Sequence, residues 1–385
     1  MNPVVDDISA LARRVIGLLE SYIHELGYQA AVHFELEGCY RFPAALEKKQ
    51  LDFQRLNRQL RSLGIDAELV PEYWRNQWEY VSVFNRQSPL KEADNLAFAL
   101  EKLPYLFACQ GVEQTLIKPV VWCGDKGQLA PGAGNVFSGD PRAVHIPNAV
   151  QINVSASDPA GENIIARHGF GEYLQQCFLQ TSLGCCLLYL PEAEAFERLA
   201  LKSRYGLANE LCSPVDISGG HQGSIALYKE RGKHNQAMGV EPLLYGPDHK
   251  VLLSRQNWQK TARVEHRLGA SSRHYNPYLN VVFALANLID ALEVYSKQAC
   301  RAALKPSPAP VMLPTALDRD EHGFDAVNLF ARQTWFSERI NRVQLYMQNA
   351  GLLTGDDLSV ENSGKLGDKL KNSVLAKYQK RTLSI

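Results

Sequence analysis

The chain has 385 residues, 45% of them hydrophobic, and its 41 basic residues balance 41 acidic ones. That size supplies a large core, in one elaborated domain or two lobes, and the zero net charge gives no electrostatic case for nucleic acid or a membrane surface as partner. No window of about 18 uncharged apolar residues marks a membrane-crossing helix.

In chain order, "MNPVVDDISALARR" is acidic and then amphipathic, which does not read as a signal peptide. Ile8, Leu11, Val15, Leu18, Leu19 and Tyr22 follow an i, i+3, i+4 rhythm and predict a helix over 6–26, ended by Gly27. The apolar approach "AAVHF" leads into "ELEGCY", a strand in which Glu35 and Glu37 share one face. Leu46, Phe53, Leu56, Leu60 and Leu63 predict a second helix, stopped by Gly64. "WEYVSVF" (78–84) alternates as a strand does, 90–110 reads as helix, and "QTLIKPVVW" reads as a strand interrupted at Pro119. Residues 124–141 form a glycine-rich loop without the P-loop pattern, either a surface loop or a substrate lid. "AVQINVSAS" (149–157) alternates cleanly, helices fill much of 161–200, and 204–224 and 229–240 read as loops. "TARVEHRL" (261–268) is a further strand, and Pro277 opens a long apolar helix to about 298. "KPSPAP" (305–310) is a linker, a final helix spans about 324–350, and the polar stretch beyond it reads as a disordered tail. Eight cysteines without a CxxC pair indicate reduced, buried thiols in a cytoplasmic protein, and adjacent Cys185 and Cys186 suit core packing.

The carboxylates are the chemical signal. Glu35 and Glu37, then Glu72 and Glu79, then Glu265 between Arg263 and Arg267, fall on three strand-like segments. At ~4 Å and an effective dielectric of ~20, a like-charge pair costs ~4 kcal/mol. Protons or hard divalent cations such as Mg²⁺ or Mn²⁺ relieve such a cluster. His145, His221, His266 and His274 read as solvated or core histidines, with acid–base work as the alternative. Trp74 and Trp78 flank Gln77 as core anchors or as walls of a pocket.

These segments resemble the catalytic domain of glutamine synthetases over roughly residues 6–300. "HFELEGCYRF" resembles the family's E-x-E strand, and "EYWRNQWE" its E-x-G-P-G-Q-x-E segment, matching at Glu72, Gln77 and Glu79. Ala93 and Asp94 match the A-D helix, and Lys118 and Pro119 the K-P strand end. "AVQINVSAS" stands in the place of M-H-x-H-x-S, "AFERL" resembles Y-K-R-L, and "ARVEHRLGASSRHYNPYL" resembles R-x-E-x-R followed by N-P-Y-L.

The resemblance implies an α+β fold of the glutamine synthetase/guanidino kinase catalytic-domain type. It has a curved antiparallel sheet of about five or six strands, helices on the convex face, and Glu35, Glu37, Glu79 and Glu265 on the concave face. It places a catalytic domain at 1–303 and a linker, helix and tail at 304–385, packing on or extending from that domain. It implies an ATP- and Mg²⁺- (or Mn²⁺-) dependent ligase, possibly a homo-oligomer, that joins a small carboxylate to an amine through an acyl phosphate. Glu37, Glu72 and Glu79 would hold one metal ion, and Glu35, Glu265 and Gln151 the other. Arg263 and Ser155 would contact the nucleotide, and Arg198 and Arg267 the substrate.

The departures are specific. The chain begins at the helix before the E-x-E strand, without a counterpart of the family's β-grasp domain. The family's two histidines become Gln151 and Asn153, "HIPNA" (145–149) replaces N-G-x-G, and "SGGHQGS" (218–224) replaces R-N-R-S. Glutamate plus ammonia is therefore not the expected pair. A non-catalytic binding protein and a phosphotransferase, as guanidino kinases are, remain alternatives, although their reactive-cysteine signature is absent.

Overall fold

The computed structural model describes residues 3–46, 48–72, 76–123, 144–167, 169–196, 198, 224–229, 244–252, 258–297, 313–314, 316–318, 321–353 and 365–379. Helix α1 (Pro3–Glu25) buries Ile8, Ala12, Val15, Ile16, Leu19 and Ile23 along one stripe. Strand β1 (Gln29–Arg41) follows, and a 3-10 turn (Ala44–Leu46) separates it from α2 (Phe53–Ser62), whose first turn is capped by the Asp52 side chain. The second predicted helix is thus shorter at its start. Strands β2 (Ala67–Pro71) and β3 (Gln77–Ser82) precede α3 (Pro89–Ala108), which opens on a Ser88 cap with proline at its first position.

The predicted strand around Pro119 is two strands, β4 (Gln114–Leu116) and β5 (Val120–Cys123). Proline has no N–H to donate, and the chain changes sheets there. β5 pairs with β6 (Val144–Pro147), while β7 (Ala149–Ser157) crosses the main sheet. Helix α4 (Phe170–Ser182) is followed by β8 (Ile225–Tyr228), the hairpin β9 (Leu244–Tyr245) and β10 (Val251–Leu252), and β11 (Arg263–Ala270). Helix α5 (Pro277–Ser296) comes next. The last predicted helix is divided into α6 (Ala326–Arg332) and α7 (Trp335–Asn349).

The stretch expected to be a disordered tail contains a further helix, α8 (Leu366–Gln379). Leu366, Leu370, Val374 and Tyr378 recur every fourth residue and are buried in the main core. Intervening Lys, Asn and Ser residues dilute the hydropathy and conceal that stripe.

The main sheet is antiparallel in the order β2-β3-β1-β7-β11-β8, with β4 joined to β1. These seven strands exceed the expected five or six. β2 and β8 are short, too short for a period-2 pattern to announce them. α1, α3, α4 and α5 pack on one face of this sheet, over Phe34, Leu36, Trp78, Tyr80, Ile152, Val154, Val264 and Leu227. α5 is long and apolar enough to cross a membrane, but 72% of its apolar window is buried within the fold. Its composition is that of a core helix.

The other face of the sheet carries the polar side chains. Two glycines set how closely its layers approach. A Cβ on Gly38 would lie 2.4 Å from the Trp78 ring, and one on Gly269 would lie 2.5 Å from the Val150 carbonyl, where the β11–β7 register shifts. Asp94 is structural: it accepts from Arg13 and, at 2.8 Å, from the Tyr278 hydroxyl, linking α1, α3 and α5.

Candidate active site

Strand register decides which side chains meet, because alternate residues share a face. Glu37 lies opposite Glu79, Glu35 opposite Gln151, His33 opposite Asn153, and Glu265 opposite Asn153 on its other side. Arg263 lies opposite Tyr228, and Glu68 opposite Val81, which places Glu68 two residues from the strand position of Glu79. One polar face therefore carries His33, Glu35 and Glu37 (β1), Glu79 (β3), Gln151, Asn153 and Ser155 (β7), and Arg263 and Glu265 (β11). Glu35, Glu79, Gln151, Asn153, Ser155, Arg263 and Glu265 are all buried, between 0% and 8% exposed. The expected sharing of one face by Glu35, Glu37, Glu79 and Glu265 is what the register gives.

Hydrogen bonds show how these charges are held. Glu37 Oε2 accepts from the Ala149 N–H at 2.8 Å, and its Oε1 accepts from the Gln151 amide at 3.4 Å. The Asn153 amide donates to Glu35 Oε1 at 3.2 Å, and its oxygen accepts from Arg263 Nε at 2.7 Å. The Arg263 guanidinium also lies over the Tyr228 ring, 4.4 Å from its centroid, and Nη1 reaches the Thr261 carbonyl. Arg267 Nε stands 3.9 Å from Glu265 Oε1. Arg61 and His249 flank Glu68 at 2.6 and 2.7 Å. Burial first, and the charge of Arg263 second, hold His33 well below its ordinary pKa, so its imidazole is neutral. Burial and the charges of Glu68 and Glu79 raise the Tyr245 phenol.

Glu72 sits at the end of β2, its N–H bonded to the Gln77 carbonyl at 3.2 Å, close in sequence to the β3 face. Gln77 Nε2 binds Asn148 Oδ1 at 3.1 Å. Trp78 faces the helices, with its ring 5.4 Å from Phe107, and is a core anchor. Arg198 is 1% exposed in a helical stretch beginning at residue 193. His266 is a core histidine: Phe178, Tyr189 and Phe283 surround it, Ser182 Oγ lies 3.1 Å from Nε2, and burial lowers its pKa to about 3. His274 is exposed. Cys39, Cys177, Cys185 and Cys186 are reduced and buried as expected, whereas Cys109 is exposed. Trp74, His221, the side chain of His145, the loop 124–141, the linker 305–310 and residues 218–223 lie outside the described residues.

The sequence reading did not single out His33 or Glu68. His33 is two residues before Glu35 and so shares its face by parity alone, a signal that was legible. Glu68 depends on β2, which was not anticipated.

The resemblance implies two metal ions, and the donor set can be tested against that. Carboxylates suit hard divalent ions. Neutral N–H groups bond both oxygens of Glu37 and one of Glu35, which weakens these oxygens as cation ligands but leaves each a lone pair. Among the described residues no three His, Cys, Asp or Glu side chains converge on one ion position. As arranged, these residues do not fit a resident two-ion centre.

The fold is α+β, an antiparallel sheet with helices on one face and a polar cluster on the other, and solved structures share it. A novel glutamine synthase homolog superposes with a TM-score of 0.55 at 17% identity, covering 94% of this chain and 75% of that one. GmaS without ligand gives 0.51 at 15% identity, over 96% of this chain and 74% of its own. Plasmodium falciparum glutamine synthetase gives 0.51 at 13% identity, over 90% and 78%. No family model matches the sequence, and no curated protein does. These likenesses establish the fold.

Proposed function

We propose that the polar face is the active site of an ATP-dependent ligase that joins a small carboxylate to an amine, a pair other than glutamate and ammonia. The observation that carries this reading is the placement of Arg263 beside Glu265, Glu35 and Asn153 on a buried sheet face. It is supported by a fold shared with glutamine synthetase homologues, among them GmaS, which has been solved with ADP. In the reaction a substrate carboxylate oxygen attacks the γ-phosphorus of ATP, and ADP leaves. The amine nitrogen then attacks the acyl carbon, phosphate departs, and the nitrogen loses a proton.

Arg263 is assigned to the transferring phosphoryl group and Ser155 to the nucleotide. Arg267 and Arg198 are assigned to the acid substrate. A guanidinium holds two oxygens at once and keeps its proton, which suits a group whose charge moves during transfer. No step rests on a resident ion. Mg²⁺ enters as the counter-ion of the nucleotide, and Glu37, Glu72 and Glu79 are the carboxylates assigned to face it. Glu35, Glu265 and Gln151 form the weaker half, because Gln151 is uncharged and Arg267 already stands by Glu265.

The test is a screen for ATP-dependent phosphate release over carboxylate and amine pairs, with hydroxylamine to trap an acyl phosphate. A hydroxamate that forms only with ATP and one class of acid is the expected result. A second reading, a non-catalytic binding protein, is favoured by the amide donors on Glu35 and Glu37. Ligand binding without any phosphate release would select it.

A further inference from the structure

Three neighbouring strands of the polar face bring together buried polar atoms with no hydrogen-bond partner. They are both ring nitrogens of His33 on β1, Oε1 of Gln151 on β7, and Nη2 of Arg263 on β11. The three residues are 1%, 4% and 1% exposed. A buried polar group without a partner bears its full desolvation penalty, and native folds rarely keep several together unless something else completes them. Among the described residues the other fully buried histidine is His266, whose Nε2 meets a serine hydroxyl and whose ring is enclosed by aromatic rings, with Nδ1 alone unpartnered. His33 meets the edge of Phe84, with ring centroids 5.5 Å apart.

The arrangement between these atoms is built. Asn153 lies across from His33 on one side and from Glu265 on the other, and its oxygen accepts Arg263 Nε. With Nε and Nη1 bonded and the plane laid on Tyr228, Nη2 is the free arm of Arg263. The charge of Arg263 reaches His33 across Asn153. An imidazole N–H and a guanidinium N–H both donate, and both suit an oxygen of a phosphoryl group. Glu35 and Glu265 stand beside them, so a bare polyanion is repelled, and a phosphoryl group that carries its own Mg²⁺ is the class that fits.

We propose that His33 is a ligand-contacting residue of this face, donating from its imidazole to an oxygen of a magnesium-bound phosphoryl group whose other side is held by Arg263 Nη2. This deepens the ligase reading and rests on it for the identity of the ligand, but the seat itself requires only phosphoryl chemistry.

The test is calorimetric titration of the full chain with magnesium pyrophosphate and with Mg-ATP, alongside thermal unfolding. It compares the parent with His33→Phe and His33→Gln. Phenylalanine fills the ring volume and removes the unmet polar atoms, so the midpoint of His33→Phe is expected at or above that of the parent. Its affinity for magnesium pyrophosphate is expected to fall about tenfold or more. His33→Gln retains a donor and is expected to lose less. Undiminished affinity in His33→Phe overturns the proposal. If His33→Phe unfolds at a lower temperature, His33→Leu, which also lacks a donor, decides, and parent-like affinity there assigns His33 to packing alone. A parent that binds neither probe also overturns the proposal. A parent that binds magnesium pyrophosphate but ligates no acid to any amine leaves the His33 seat intact and removes only the ligase reading.

Discussion

β1 presents two opposite solutions on its two sides. Val32, Phe34 and Leu36 point to the helices and are 0–3% exposed among apolar neighbours. His33, Glu35 and Glu37 point the other way, into amides, guanidinia and opposing carboxylates. On the helix side the contacts of these three residues are apolar packing. On the polar side, opposed charges and unmet hydrogen bonds subtract from stability, which is the expected mark of a surface shaped for a ligand. The difference is testable because substitutions on the two faces should move stability in opposite directions.

The largest effect belongs to the helix side. Phe34→Ala removes a fully buried ring and is expected to cost ~3–5 kcal/mol, read as a lowered denaturant midpoint at unchanged m-value. A cost below ~1 kcal/mol would mean that this face is not the core. Gly38→Ala places a methyl group against the Trp78 ring, 2.4 Å away, and is expected to cost ~1–3 kcal/mol.

Glu92, buried in the first turn of α3, sharpens the comparison, since it is a carboxyl on the helix side of the sheet. Burial raises its pKa from 4.5 to about 8. The folded state therefore holds a proton that the unfolded chain has released. Stability contributed by this group is present in full below about pH 4.5 and is lost progressively as pH rises towards 8. Glu92→Gln should flatten that slope and raise stability at pH 7 by roughly 1–3 kcal/mol. An unchanged slope in urea midpoints between pH 5 and 8 would sink the assignment.

The smallest effect is on the polar side. Glu79 directly opposes Glu37. Glu79→Gln is expected to raise the midpoint of the ligand-free chain by ~0.2–1 kcal/mol, since directly opposed like charges destabilise a sheet. A clear destabilisation would show that the carboxylate is structural.

Much of this was legible in the sequence. Alternation in β1, β7 and β11 announces both the strands and their polar faces, and the caps Ser88-Pro89 and Asn276-Pro277 open their helices where expected. What stayed hidden has physical causes. β2 and β8 are five and four residues long, too short for periodicity to accumulate. The α8 stripe uses four buried residues in a polar segment. The amide-to-carboxylate bonds of Gln151 and Asn153 depend on pairing register, which no single strand reveals. The same two residues mark where the sequence departs from the glutamine synthetase pattern it resembles, yet only the register shows that they bond the carboxylates with N–H donors.

The central claim is that the polar face receives a nucleotide through Arg263. Calorimetric titration of the full chain with Mg-ATP, beside Arg263→Lys at matched unfolding midpoint, tests it most directly. The account predicts saturable binding at or below millimolar concentration, weakened about tenfold when the fork that reaches Asn153 and leaves Nη2 free becomes a single ammonium. Absence of binding at millimolar Mg-ATP, or equal affinity in the two proteins, would contradict it.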